Sequence, residues 1–509
     1  MRNWTRRGFL AAAGATIASC RASSGPLLLP ADPFTLGVAS GDPSPDGVVL
    51  WTRLAPRPLE EDGGMPSRPV EVAWEVAEDE RFSRIARQGV ALADPGLAHS
   101  VHVELHGLAP DRPYWYRFRA GGAESEAGRT RTAPAPGGMP SRLRLALASC
   151  QHLEHGLFTA YEHMLRDDVD LVVHVGDYIY ENAGAAGKLR RHVGPECTTL
   201  GGYRVRYGQY KSDPALRAMH AAAPWLVTPD DHEFDNNCAG PISEEKDVDP
   251  AAYLRRRAAA YQAYYEHMPL RASSVPRGPD MLLHRRVAYG RLAEIFVLDT
   301  RQHRSDQPCG DGNKPPGPEV MNPDGTMLGA AQREWLFGGL GRSSALFNVL
   351  AQQVMVARVD RLPGEGITHS MDQWPGYEVE RRALLKFLHD RRIANPVVLA
   401  GDIHTNWAND LIADFDRLES RVVAAEFVGT SISSGGDGLA APKALDQILA
   451  DNPFVRFHNA ERGYVLCEAS AEVWRTDYRT VPYVLKPGAP IQTRASFVVE
   501  PGRPGLQRA

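Results

Sequence analysis

The sequence predicts a layered α/β domain preceded by a smaller all-β domain, and three observations carry that prediction. Apolar residues alternate with period two between turn signals across residues 34–131. Beyond a Pro/Gly-rich linker at 132–140, TAPAPGGMP, strand and helix patterns alternate, the order of a layered α/β fold. Within that second part, short apolar runs end abruptly in metal-binding residue types. Open α/β sheets place their sites at that edge of their strands.

The elements follow in chain order. Residues 1–30 read as an export signal: Thr5-Arg6-Arg7-Gly8-Phe9-Leu10 is a twin-arginine pattern, followed by a weakly apolar, Ala-rich run too short to span a bilayer. The expected partner is the twin-arginine translocation machinery, which moves folded proteins, and the expected location is periplasmic or secreted. Ile17-Ala18-Ser19-Cys20 resembles a lipobox, so Cys20 is a candidate lipid anchor. No later segment reaches transmembrane length. The 509 residues carry a formal net charge of −5, so nothing marks a nucleic-acid-binding module or a general affinity for anionic membranes.

Residues 33–131 form the all-β domain. Val70, Val72, Trp74 and Val76 alternate, then Val101, Val103 and Leu105, then Tyr114, Tyr116 and Phe118. The strand spacing resembles a fibronectin type III sandwich, expected to act as a packing partner more than as a binding module. Residues 141–509 read as the larger, layered α/β domain. Its first helix is signalled by Leu157, Tyr161, Met164 and Leu165. A long one follows Asp249-Pro250, with Asp249 as N-cap and Pro250 in the first turn. Further strands are expected at 294–299 and 347–357.

Four segments supply the chemistry. LRLALASC ends at Cys150, LVVHVGDYIYE carries Asp177 and Tyr180, and PVVLAGDIH carries Asp402 and His404. TPDDHEFDNN packs Asp230, Asp231, His232, Glu233 and Asp235 into one loop. Charges at the ends of buried strands are normally paired or bound to metal, so a polynuclear metal site is expected. Asp177 has two oxygens and can bridge two ions. Thiolate from Cys150 and phenolate from Tyr180 favour Fe(III), and His404 completes that shell. Asp231 and Asp402, with amide oxygen from Asn236 or Asn237, make an oxygen-rich position suited to calcium. Paired cations clamp a phosphate and acidify a bound water. His232 is the candidate general acid, and Arg301, in LDTRQ, the candidate for neutralising substrate oxygens. Of the six cysteines, Cys197, Cys238, Cys309 and Cys467 allow three pairings, or none.

These motifs, together with GVASGDPSPDGVVLWTRL, AYYEHMP, LG..Q..WL and GTSISSGG, make the chain similar to the PhoD-type alkaline phosphatases/phosphodiesterases within the calcineurin-like metallophosphoesterases. The resemblance implies a four-layer α/β sandwich behind a small β domain, and one Fe(III) with two calcium ions. It implies hydrolysis of phosphomonoesters and phosphodiesters by metal-activated hydroxide attack on phosphorus. By position, Cys150, Asp177, Tyr180 and His404 would hold the iron and Asp177, Asp231 and Asp402 the second ion; Asn237 is the further metal candidate, with Asp230 and Asn236 open beside it. Thr228-Pro229 and Pro375 depart from the family pattern. A phospholipid-cleaving diesterase using the same metals is the nearer alternative. A non-catalytic surface scaffold with structural metals is the more distant one.

Overall fold

The computed structural model describes residues 31–441 and 444–509; the twin-arginine pattern and Cys20 lie outside the described residues. Two large sheets stack face to face at the centre, and helices cover both outer faces, giving the four layers expected. Strand alternation explains the layering. Leu145, Leu147, Leu171, Val173 and Leu226 of one sheet meet Ile295, Val297, Val349, Val397 and Phe427 of the other. The intervening residues Ala146, Val172 and Trp225 face one helical layer, while Phe296, Leu350 and Val398 face the other.

The first sheet has ten strands. Its centre is the parallel trio Leu143–Ala148, Leu171–His174 and Pro224–Val227. One flank is built from the end of the chain: Arg462–Ala469, Trp474–Val481, Gln492–Glu500 and Arg503–Arg508. The other flank is built from its beginning: Val38–Ser44, Gly47–Arg53 and Ser100–Glu104. Ser40 and Gly41 pair in parallel with Pro224 and Trp225. The second sheet has seven strands around the parallel set Ala293–Val297, Phe347–Ala351, Pro396–Ala400 and Val422–Val428.

The N-terminal sandwich therefore owns only one of its two sheets. Ile85–Ala93, Val70–Ala77, Pro113–Ala120, Ala123–Glu124 and Gly128–Arg131 form a five-stranded sheet. Its inward residues Val72, Val76, Tyr114, Tyr116 and Phe118 pack on Val38, Val48, Leu50, Val101 and Val103, which lie on the flank of the ten-stranded sheet.

Helix Pro250–His267 begins as its sequence predicts, with the Asp249 carboxylate accepting from the N–H groups of Ala251 and Ala252. The strand expected over 347–357 stops at Ala351. Gln353 turns away to bond Thr300 and Pro229, and the N–H groups of Val356 and Ala357 go to the buried Glu426 carboxylate in place of a ladder. The first catalytic-domain helix is short, Thr159–Met164, but Tyr161 and Met164 are buried as their spacing requires.

Lys211 ends helix Leu200–Lys211 and is 1% exposed. Its ammonium sits 4.1 Å from the Trp51 ring centroid and 5.7 Å from that of Tyr178. Among the described residues it has no ion-pair partner. Burial pulls its pKa down to about 7. Between about pH 7 and the ordinary lysine value near 10.4, the unfolded chain binds a proton that the folded chain lacks, so stability rises with pH across that window. Below it the folded state bears the buried charge. Lys211→Met is expected to stabilise the protein below pH 7 by on the order of 3 kcal/mol, and to remove that part of the rise. Denaturant midpoints measured from pH 6 to 10 check this; parallel curves for variant and wild type would refute it.

Candidate metal centre

The site forms where both parallel sets end, and most of the candidate ligands arrive on strained turns. Cys150, Asp177, Asn237, Asp402 and His404 all have left-handed backbones, with φ of 59°, 56°, 46°, 67° and 55°. Few non-glycine residues adopt that conformation, and such strain persists only where the surroundings over-determine it. Close packing of the turns supplies the determination. A Cβ on Gly176 would meet the Asp230 Cβ at 2.3 Å, and one on Gly401 the Ser149 Oγ at 2.5 Å. These Gly-Asp pairs are needed because the neighbouring ligand turn lies against the backbone.

Buried polar side chains brace the turns. Glu233 accepts from the N–H groups of Asp177 (3.1 Å), Tyr178 (2.6 Å) and Asp230 (2.7 Å). Gln353 donates to Thr228 Oγ1 and Pro229 O and accepts from Thr300, tying strand ends of the two sheets together. Thr228, one of the departures from the family pattern, is such a tie: its hydroxyl donates to Leu298 O at 2.9 Å. Pro375, the other, is buried in the turn Trp374–Tyr377. From the GTSISSGG loop, Ser434 Oγ lies 2.7 Å from both Cys150 O and Tyr180 Oη.

The donor atoms form three overlapping groups, two of which share Asp177. Those of Cys150, Asp177 and His404 lie within 4.8 Å of one another, as do those of Asp177, Asp231 and His232, and those of Asp230, Asp231 and Asp402. The Tyr180 hydroxyl donates to Asp177 Oδ2 at 2.7 Å and lies 3.1 Å from His404 Nε2. Asn237 is at the rim, its N–H donating to Asp231 Oδ2 and its side-chain amide to Asp311.

Charge is crowded here. Burial pushes Asp402 up to about 7 and raises Asp230 and Asp231 as well, although Arg301 opposes each shift. Burial and then the Asp177 charge raise the Cys150 thiol and the Tyr180 phenol well above their ordinary ranges. Burial also opposes charge on His232, but Glu181, Asp177 and Asp231 outweigh it and raise that imidazole well above its usual pKa. Asp177 Oδ1 and Asp230 Oδ2 are buried and have no hydrogen-bond partner. A thiol, a phenol, an imidazole and orphaned carboxylate oxygens fit cations in this cluster, which would let the acids ionise together.

Sequence reasoning brought together Cys150, Asp177, Tyr180, Asp231, His232, Asp402 and His404. It did not assign their supports. Glu181, the last residue of the GDYIYE motif, accepts from His232 Nδ1 at 2.8 Å and fixes that ring, which packs 4.1 Å from Tyr180. Arg301 lies beneath the carboxylates, 1% exposed. It pairs with Asp230, with Asp402 at 3.0 Å and with Asp372 at 2.9 Å. A third acidic partner for a strand-end arginine, Asp372, carries no motif of its own. Cys150, Cys197, Cys238, Cys309 and Cys467 are all free thiols, so none of the pairings open to the sequence is formed among the described residues.

Two stacked sheets bring carboxylate, thiol and imidazole donors together at their shared edge, a donor set that fits a metal-binding hydrolase. The chain belongs to the PhoD-like phosphatase family, whose model matches residues 145–478, with the model of the family's N-terminal domain matching residues 21–134. It is 52% identical over 481 residues to alkaline phosphatase D of Bacillus subtilis (strain 168), covering 94% of this chain and 82% of that one. The solved structure described as "Structure of PhoD" superposes with a TM-score of 0.92 at 51% identity, covering 94% of this chain and 93% of that one. The chain is thus a phosphatase/phosphodiesterase, which displaces the reading as a non-catalytic scaffold. Among the described residues no helix is long and apolar enough to cross a membrane.

Proposed function

We propose that this enzyme is exported and works with one Fe(III) and two calcium ions. Cys150, Asp177, Tyr180 and His404 would hold the iron; Asp177, Asp231, Asp402 and Asn237 would serve calcium. The observation that carries the reading is the convergence of thiol, phenol and imidazole on Asp177, whose second oxygen is buried and unpartnered. When bound, such ions polarise a phosphate ester and acidify water. The chain's own residues then divide the remaining work. Glu181 fixes His232 through Nδ1, leaving Nε2 to protonate the departing alkoxide. Arg301 holds Asp230, Asp372 and Asp402 in place, so that three carboxylates keep their geometry at close quarters. Glu233 accepts from the N–H groups of Asp177 and Tyr178 and so locks the turn that presents Asp177.

The export half of the reading rests on Arg6-Arg7. One experiment covers both halves. Wild-type protein collected outside the cytoplasm should contain about one iron and about two calciums, and show a visible phenolate-to-iron band. The Arg6→Lys/Arg7→Lys variant should remain inside the cell. Two tightly held zinc ions in the exported protein would sink the iron assignment, and normal export of the variant would sink the route.

A further inference from the structure

Substrate phosphate carries charge that the ligand carboxylates cannot meet, and Arg301 is committed to those carboxylates. Arg304 is committed to Asp372, and Arg358 to Glu378 and Asp416. Arg462 donates to His404 O and Gly436 O. Arg361, like Arg462, has no carboxylate partner among the described residues, but no backbone carbonyl takes its guanidinium either, and it lies at the edge of the metal centre. Its guanidinium stacks 5.5 Å over the Trp407 ring, and Trp407 follows the ligand His404 by three residues. Its NH2 donates to Gln373 Oε1 at 3.1 Å, and the Nε2 of the same amide reaches Asp402 Oδ2 at 3.4 Å. Arg361 is therefore one carboxamide away from a candidate calcium ligand.

Its position is fixed from below. The Arg361 N–H donates to Thr368 O. The preceding Asp360 accepts from the N–H groups of Leu362 and Thr368, and Asn452 bonds the Asp360 backbone on both sides. A guanidinium stays charged, and a partly buried one without a counter-anion is costly unless an anion completes it. Its flat fork matches the oxygens of a phosphate, and an aromatic face leaves that fork free in its plane.

We propose that Arg361 is the substrate-phosphate anchor of this site, donating to a non-bridging oxygen of the ester, with Gln373 setting its position against Asp402. The assignment rests on the metallophosphatase reading above and adds to it the residue that recognises the phosphate group.

The test compares metal-loaded wild type with Arg361→Ala and Arg361→Lys. The measurements are inorganic phosphate affinity by calorimetry, metal content, and KM and kcat on an aryl phosphate. In Arg361→Ala, phosphate affinity should fall by roughly 10–10²-fold, the usual worth of hydrogen bonds to a charged group, and KM should rise in step. Metal content should stay at the wild-type level. Arg361→Lys should recover part of the loss, because it restores the charge without the fork. Wild-type phosphate affinity and KM in a fully loaded Arg361→Ala would overturn the assignment while leaving the phosphatase reading intact. Metal loss in both variants would overturn it too, making Arg361 a structural support. A loaded wild type that hydrolyses no phosphate ester would remove the reading itself.

Discussion

Asp177→Asn is expected to lower kcat by roughly three orders of magnitude or more, the equivalent of losing on the order of 4 kcal/mol of transition-state stabilisation. Iron and calcium should fall together, because Asp177 belongs both to the cluster with Cys150 and His404 and to the cluster with Asp231 and His232. The fold should survive. Asparagine tolerates the left-handed backbone at φ 56°, and the bonds from Glu233 are made to N–H groups that the substitution keeps. Metal analysis beside a thermal melt separates these effects. A variant that keeps both metals and turns over within tenfold of wild type would remove Asp177 from the proposed ligand set.

His232→Ala should do the opposite, keeping metals while kcat falls by roughly 10²–10⁴-fold, the loss typical of a general acid. The fall should shrink on nitrophenyl esters, whose leaving group departs without a proton. Glu181→Gln should lie between the two enzymes, since it weakens the 2.8 Å contact that holds the ring but leaves the imidazole. Steady-state rates on alkyl and nitrophenyl esters, read beside metal content, decide the matter. Metal loss in step with activity would make His232 a ligand.

How legible the site was depends on the range over which each residue acts. Cys150, Asp177 and Asp402 could be read because the signal is local: an apolar run, a tight turn and a donor lie within ten residues. Asp372, Glu233 and Gln353 could not. Their partners are 71, 56 and 124 residues away along the chain, and no periodicity encodes such pairings. Arg301 shows the same limit, for its position after a strand was clear while the acids that claim it were not. The strand expected to reach Ala357 failed for a similar reason, since the Glu426 carboxylate that captures its N–H groups comes from another strand of the sheet. The alternation of strand and helix patterns made a layered α/β domain legible, whereas the four-layer order came from the family resemblance, because continuous apolar runs do not tell which face of a strand meets which layer.

The ten-stranded sheet has the earliest strands of the chain on one edge and the last on the other. A ribosome making this protein releases the Val38–Ser44 strand hundreds of residues before Arg503–Arg508. The ten-stranded sheet therefore cannot be complete until Arg503–Arg508 has been made, and the Val38–Ser44 strand gains its parallel neighbour only once Pro224–Val227 has been made.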